Sequence, residues 1–156
     1  MSSNVGKSMI RKLSLCLLIC IPFIVQAQDD PSITIRNDKL LEILKQEWTY
    51  PETGFAARGR TGSILTMVQQ SEDSYAKVWN HYVKLCGFKI KYKDGMYVQG
   101  REHDDVVYFI NDRTFKPENK RRTFFVANGP GYSVNVILEP IPGDEPTRIS
   151  LTLNAR

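Results

Sequence analysis

Tyr75-Ala76-Lys77-Val78-Trp79-Asn80-His81-Tyr82-Val83-Lys84-Leu85-Cys86-Gly87-Phe88-Lys89-Ile90-Lys91-Tyr92 changes its hydrophobic period once, at Gly87. Up to Cys86 the apolar residues Tyr75, Val78, Trp79, Tyr82, Val83 and Cys86 fall at offsets 0, 3, 4, 7, 8 and 11, one face of a helix. Beyond it Phe88, Ile90 and Tyr92 alternate with Lys89, Lys91 and Lys93, the pattern of a strand buried on one side. Ser71 is placed to cap the helix, with Glu72 and Asp73 at the positive end of its dipole, and Gly87 is placed to end it. A helix feeding a strand in this way predicts an α+β domain with the helix laid across the sheet.

The strand that opens at Phe88 has a natural hairpin partner. With a three-residue loop, Lys93-Asp94-Gly95, Tyr92 faces Met96 and Ile90 faces Val98, so all apolar residues share one side. A two-residue loop would put Met96 and Val98 among the lysines. Four more strands are expected at Val106–Asn111, Thr123–Ala127, Tyr132–Glu139 and Arg148–Leu153. In the last two, Tyr132, Val134, Val136 and Leu138 form one face, and Ile149, Leu151 and Leu153 the other element's matching face.

Upstream, Ser32–Arg36 reads as a short strand, and Asn37 or Asp38 as the cap of a helix carrying Leu40, Leu41, Leu44 and Trp48, stopped by Pro51. Gly54 to Gly62, with three glycines and two arginines, reads as a loop, and Ile64–Gln69 as a strand. The expected architecture is a single antiparallel sheet of five or six strands with two helices packed on one face.

Residues 1–27 have the features of a secretory leader. Lys7, Arg11 and Lys12 precede an apolar run from Leu13 to Val25, and Val25-Gln26-Ala27 places small residues where a signal peptidase reads them. Cleavage is expected after Ala27, which makes the protein periplasmic or secreted and leaves 28–156 as one domain, not membrane-spanning once processed. Leu17-Leu18-Ile19-Cys20 also resembles a lipidation signal at Cys20, but Ile19 is bulky where such signals carry a small residue. Gly6-Lys7-Ser8 lacks the strand and spacing of a phosphate-binding loop.

Processing changes the charge argument. Three basic residues and no acidic one lie in the leader, so the 21 basic and 17 acidic residues of the full chain become 18 and 17. The net charge falls from +4 to +1, which argues against nucleic acid as a partner. Of three cysteines only Cys86 remains, so no internal disulfide is possible and stability must come from the core.

No residues form a compelling catalytic set. Cys86 and His103, with Asp104 or Asp105, could form a nucleophile and base, but Cys86 falls on an apolar helix face, where a thiol is a small buried hydrophobe. His81, between Lys77 and Lys84, reads as solvent-exposed. Glu102-His103-Asp104-Asp105 are chemically suited to a metal, yet four consecutive loop residues cannot all face one ion. No cofactor or metal is expected. Two basic features could meet a partner: Arg58 and Arg60 in the glycine-spaced loop, and Lys116, Lys120, Arg121 and Arg122 in a loop between strands.

Tyr75-Ala76-Lys77-Val78-Trp79, followed by Leu85-Cys86-Gly87-Phe88-Lys89-Ile90 and the strands at Ser133–Glu139 and Thr147–Leu153, resembles small bacterial envelope modules, including the accessory lipoprotein of the outer-membrane β-barrel assembly machinery. The resemblance spans residues 63–154, rests on the order of elements and transfers no site residues. It implies a non-enzymatic helix-on-sheet domain that binds another envelope or secreted protein. The alternatives are a carrier of a small apolar ligand held near Trp79 and Tyr82, and a small hydrolase using His103.

Overall fold

The fold was derived from a computed structural model, which describes residues 31–51, 53–92, 97–115, 120–141 and 146–156. The expected leader with its cleavage site and Cys20, the expected Lys93-Asp94-Gly95 turn, and Lys116 lie outside the described residues. Among the described residues two helices, α1 (Pro31–Trp48) and α2 (Tyr75–Leu85), accompany seven strands: β1 (Gly54–Thr61), β2 (Ile64–Ser71), β3 (Tyr97–His103), β4 (Val106–Phe115), β5 (Lys120–Gly129), β6 (Tyr132–Pro140) and β7 (Thr147–Ala155). They form one antiparallel sheet in the order β1-β2-β7-β6-β5-β4-β3. The four hairpins from β3 to β7 make a meander, and β7 closes it against β2.

Alternating side chains divide the sheet into two faces. Leu65, Met67, Ile110, Phe125, Ala127, Val134, Val136, Leu138, Ile149, Leu151 and Leu153 point to one face and are buried. Both helices cover that face, α1 lying along β7 and α2 along β6. Leu41, Leu44 and Trp48 descend from α1, and Val78, Trp79 and Tyr82 from α2. Trp79 and Tyr82 pack on Phe125, with ring centroids 6.4 and 5.7 Å away. The Tyr82 hydroxyl donates to the Trp48 carbonyl at 3.0 Å, joining the helices and satisfying a polar group at the centre of the core.

Helix α2 ends as its sequence demands. Gly87 has φ +67°, and the bonds Phe88 N–H to Val83 O and Gly87 N–H to Lys84 O complete a Schellman motif. The helix starts later than expected. Ser74, not Ser71, caps it by accepting from the Lys77 N–H. Ser71 is the last residue of β2, and its hydroxyl accepts from the Asp73 N–H instead.

Four further expectations are corrected. The sheet has seven strands, not five or six. Ser32–Arg36 belongs to α1, which takes in Pro31 as a first-turn residue, where a missing N–H costs nothing. Gly54–Gly62 is mostly β1, an edge strand whose side chains are all exposed, so it shows no apolar alternation for a sequence to reveal. Phe88–Tyr92 forms no strand, and Val98 pairs with Asn111, not Ile90. The alternation at Phe88, Ile90 and Tyr92 arises because the extended chain caps one margin of the core without entering the ladder.

Candidate functional site

The register builds the outer face of the sheet in rows. One row runs Thr66, Thr152, Asn135, Val126, Phe109 and Gly100, and the next Val68, Ser150, Ile137, Phe124, Asn111 and Val98. On the β3–β6 half these rows gather Phe109, Phe124, Val126 and Ile137, all half-buried, beside Val98, which is 64% exposed. Val107, in the row above, is 48% exposed. The half towards β2 is more polar, with Thr66, Thr152, Ser150 and Asn135 around the half-buried Val68 and the exposed Ile64.

The row beyond Val98 changes character. It carries Gln70, Arg148, Glu139, Arg122 and Arg113, three guanidinium groups to one carboxylate. Arg122 Nε is bonded to Glu139 Oε1 and its guanidinium lies 5.4 Å from the Phe115 ring centroid. Arg113 is exposed and donates to Asn111 Oδ1 at 2.8 Å. Arg148 is exposed opposite Glu139. Lys120, two residues from Arg122 along β5 and opposite Phe115, extends the basic margin. At the corner a cavity of ≈ 70 Å³ is lined by Lys120, Arg121, Glu139, Pro140, Ile141 and Arg148. Clustered guanidinium groups beside apolar surface suit an acidic partner that also has apolar side chains to bury.

Lys120, Arg121 and Arg122 therefore lie on a strand, β5, not in a loop, and the pleat sends them to different faces. Arg121 points to the core face. Its Nε and Nη2 donate to Asp112 Oδ1 and Oδ2 at 3.1 and 2.6 Å, and Nη1 donates to the Tyr92 hydroxyl at 2.8 Å. Its guanidinium also stacks 4.7 Å from the Tyr92 ring centroid and 5.4 Å from that of Tyr75. The bond to Asp112, outweighing burial, holds Arg121 above the usual guanidinium range and firmly charged. Tyr75 completes the buried cluster through a 2.5 Å hydroxyl contact with Thr123.

Arg58 and Arg60 also lie on a strand. In β1 they point to the helix side and reach α1, Arg58 at 3.9 Å from Glu42 and Arg60 in an ion pair with Asp38. They clasp α1 to the sheet edge, which brings them nowhere near the arginine row.

The remaining candidates are placed as follows. Cys86 is 1% exposed, and burial pushes its thiol up to about 12, so the reactive thiolate is suppressed. His103 ends β3 with Nδ1 3.0 Å from Asp104 Oδ1. Asp104 and Asp105, at φ +51° and +61°, form the tight β3–β4 turn. Among the described residues no group of three or more His, Cys, Asp or Glu side chains is gathered for a metal. Trp79 and Tyr82, around which a ligand cavity was expected, are fully buried between the helices and the sheet.

His81 is not solvent-exposed as its lysine neighbours suggested. Its ring is half-buried, 4.9 Å from Tyr50 and 5.0 Å from Tyr82 by centroids, and Nε2 is buried without a hydrogen-bond partner among the described residues. Burial, aided by Lys84, lowers its pKa. No described helix is long and apolar enough to cross a membrane. No family model, curated protein or solved structure matches this chain.

Proposed function

We propose that this chain is an exported, non-catalytic protein-binding module that docks an acidic segment of an envelope or secreted protein on the outer face of its sheet. The row of Arg148, Arg122 and Arg113 beside the apolar group Phe109, Phe124, Val126 and Ile137 carries this reading. The secretory pattern of residues 1–27 and the resemblance to envelope assembly modules supply the compartment and the kind of partner. The rim charges set the rate of encounter and the register, and the apolar rows supply the buried area.

The test is affinity capture from the envelope and secreted fractions of native cells, using the processed chain as bait. A stoichiometric partner is expected, and Arg113→Gln with Arg148→Gln should reduce its capture severalfold. Arg58→Gln with Arg60→Gln should leave capture intact. Capture that depends on the second pair and ignores the first would overturn the placement of the site.

A further inference from the structure

We propose that a groove beside α1 binds an anionic single-chain amphiphile, an acyl chain ending in a carboxylate or phosphate group. The groove lies on the helix side of the sheet and is independent of the protein-docking reading. One wall is a stripe of α1 at offsets 0, 3, 4 and 7, namely Arg36, Lys39, Leu40 and Ile43. The other is the β5–β6 turn at Pro130 and Gly131, together with Arg156. The space between them is ≈ 500 Å³, within the range of small-ligand sites.

Two features select the ligand class. The floor is apolar: Leu40 packs on the core, and Ile43 stays 51% exposed on a helix face where a polar residue would ordinarily sit. The rim side chains are cationic, Arg36, Lys39 and Arg156, with no acidic side chain in the lining, and Arg36 is already engaged with the Arg156 main-chain oxygen. The acid on the same stripe, Glu47, lies one turn beyond Ile43 and outside the lining. Arg36 Nη2 donates to the Arg156 main-chain oxygen at 3.2 Å, and Arg156 N–H donates to Gly131 O at 2.7 Å, so the far wall is tied to the helix. A cationic rim over an apolar floor favours a ligand with charge at one end and hydrocarbon at the other.

The experiment is calorimetric titration of the purified protein with monomeric dodecanoate, its neutral methyl ester and shorter carboxylates, alongside co-sedimentation with phosphatidylglycerol vesicles. Saturable dodecanoate binding is expected, about tenfold weaker for the ester and about fourfold weaker for each methylene lost from the groove. Arg36→Gln with Lys39→Gln should weaken it about tenfold, and Ile43→Asp, at an exposed position, should abolish it while the circular dichroism spectrum is unchanged. Vesicle association lost in the same variants would assign the head group to a bilayer lipid, and monomer binding alone to a free amphiphile. No binding in either arm, equal affinity for acid and ester, or indifference to both sets of substitutions would overturn the proposal.

Discussion

Asp112 and Arg121 meet through two parallel hydrogen bonds, 3.1 and 2.6 Å, at a point where Asp112 is completely buried. The residues are nine apart in sequence but diagonal neighbours across the β4–β5 ladder, since Asp112 pairs with Thr123 and Thr114 with Arg121. The pair seals the end of the core beneath Tyr75 and Tyr92. It is also adjacent to the arginine row, because Arg121 and Arg122 leave the same strand on opposite faces.

Removing one partner of this bridge should be severe. Arg121→Met leaves a carboxylate buried without its countercharge, and a loss of about 3–5 kcal/mol in urea unfolding is expected. Asp112→Leu with Arg121→Met should recover most of that loss, since an apolar pair of similar volume needs no desolvation. A double variant no better than the single one would show that the bridge does more than balance charge.

Gly87 is required twice over. Its φ is +67°, and a β-carbon there would lie 1.9 Å from Arg101 Nη1, which donates to the Cys86 carbonyl at 3.0 Å. Gly87→Ala should cost about 1–3 kcal/mol by denaturant unfolding. Adding Arg101→Ala should relieve the collision but not the backbone strain, so the two changes should be non-additive.

His81 gives the fold a pH dependence with a definite sign. Its folded pKa is lowered by burial, so the unfolded chain takes up the proton first. Stability from this site is complete above the unfolded value of about 6.5 and declines as pH falls from there towards the folded pKa. The charge acting on the ring is Lys84 on its own helix, and Asp73 is linked to the ring only through Tyr50, whose hydroxyl donates to Asp73 at 2.7 Å. Asp73, held low by Lys77 and Tyr50, contributes in a separate window below about pH 4. The urea midpoint should therefore drop between pH 7.5 and 5.5, and His81→Gln should flatten that interval alone.

Arg60 should matter little. It and Asp38 are about half exposed, so Arg60→Gln should cost less than about 1 kcal/mol in thermal unfolding. The cost should shrink further in high salt.

The extent to which the sequence predicted these features depended on burial. Val134, Val136 and Leu138, with Ile149, Leu151 and Leu153, alternate because one side of each strand is sealed and the other is not, so β6 and β7 were readable. The 3–4 spacing of Val78, Trp79 and Tyr82 was equally direct. Strand β1 was not readable, because its order comes from main-chain pairing with β2 and none of its side chains is buried. Ile33 and Ile35 imitated a strand because the first turns of α1 bury no residue.

The basic residues were visible as a cluster but not as a surface. Only the pleat reveals that Arg121 turns inward to Asp112, while Arg122 turns outward into a row with Arg113 and Arg148. Those last two come from other strands, and no local signal joins them to β5. His81 was misread for the same reason, since Tyr50, which covers it, lies thirty-one positions upstream.

The most direct test of the outer-face claim is site-specific photo-crosslinking in native cells, with the reactive group placed in turn at Val98, Val107 and, on the helix side, Gln46. The account predicts that Val98 and Val107 capture one common protein, that Gln46 does not, and that Arg113→Glu with Arg148→Glu removes the adduct. Capture from Gln46 alone, or adducts at Val98 and Val107 that survive the charge reversal, would contradict it.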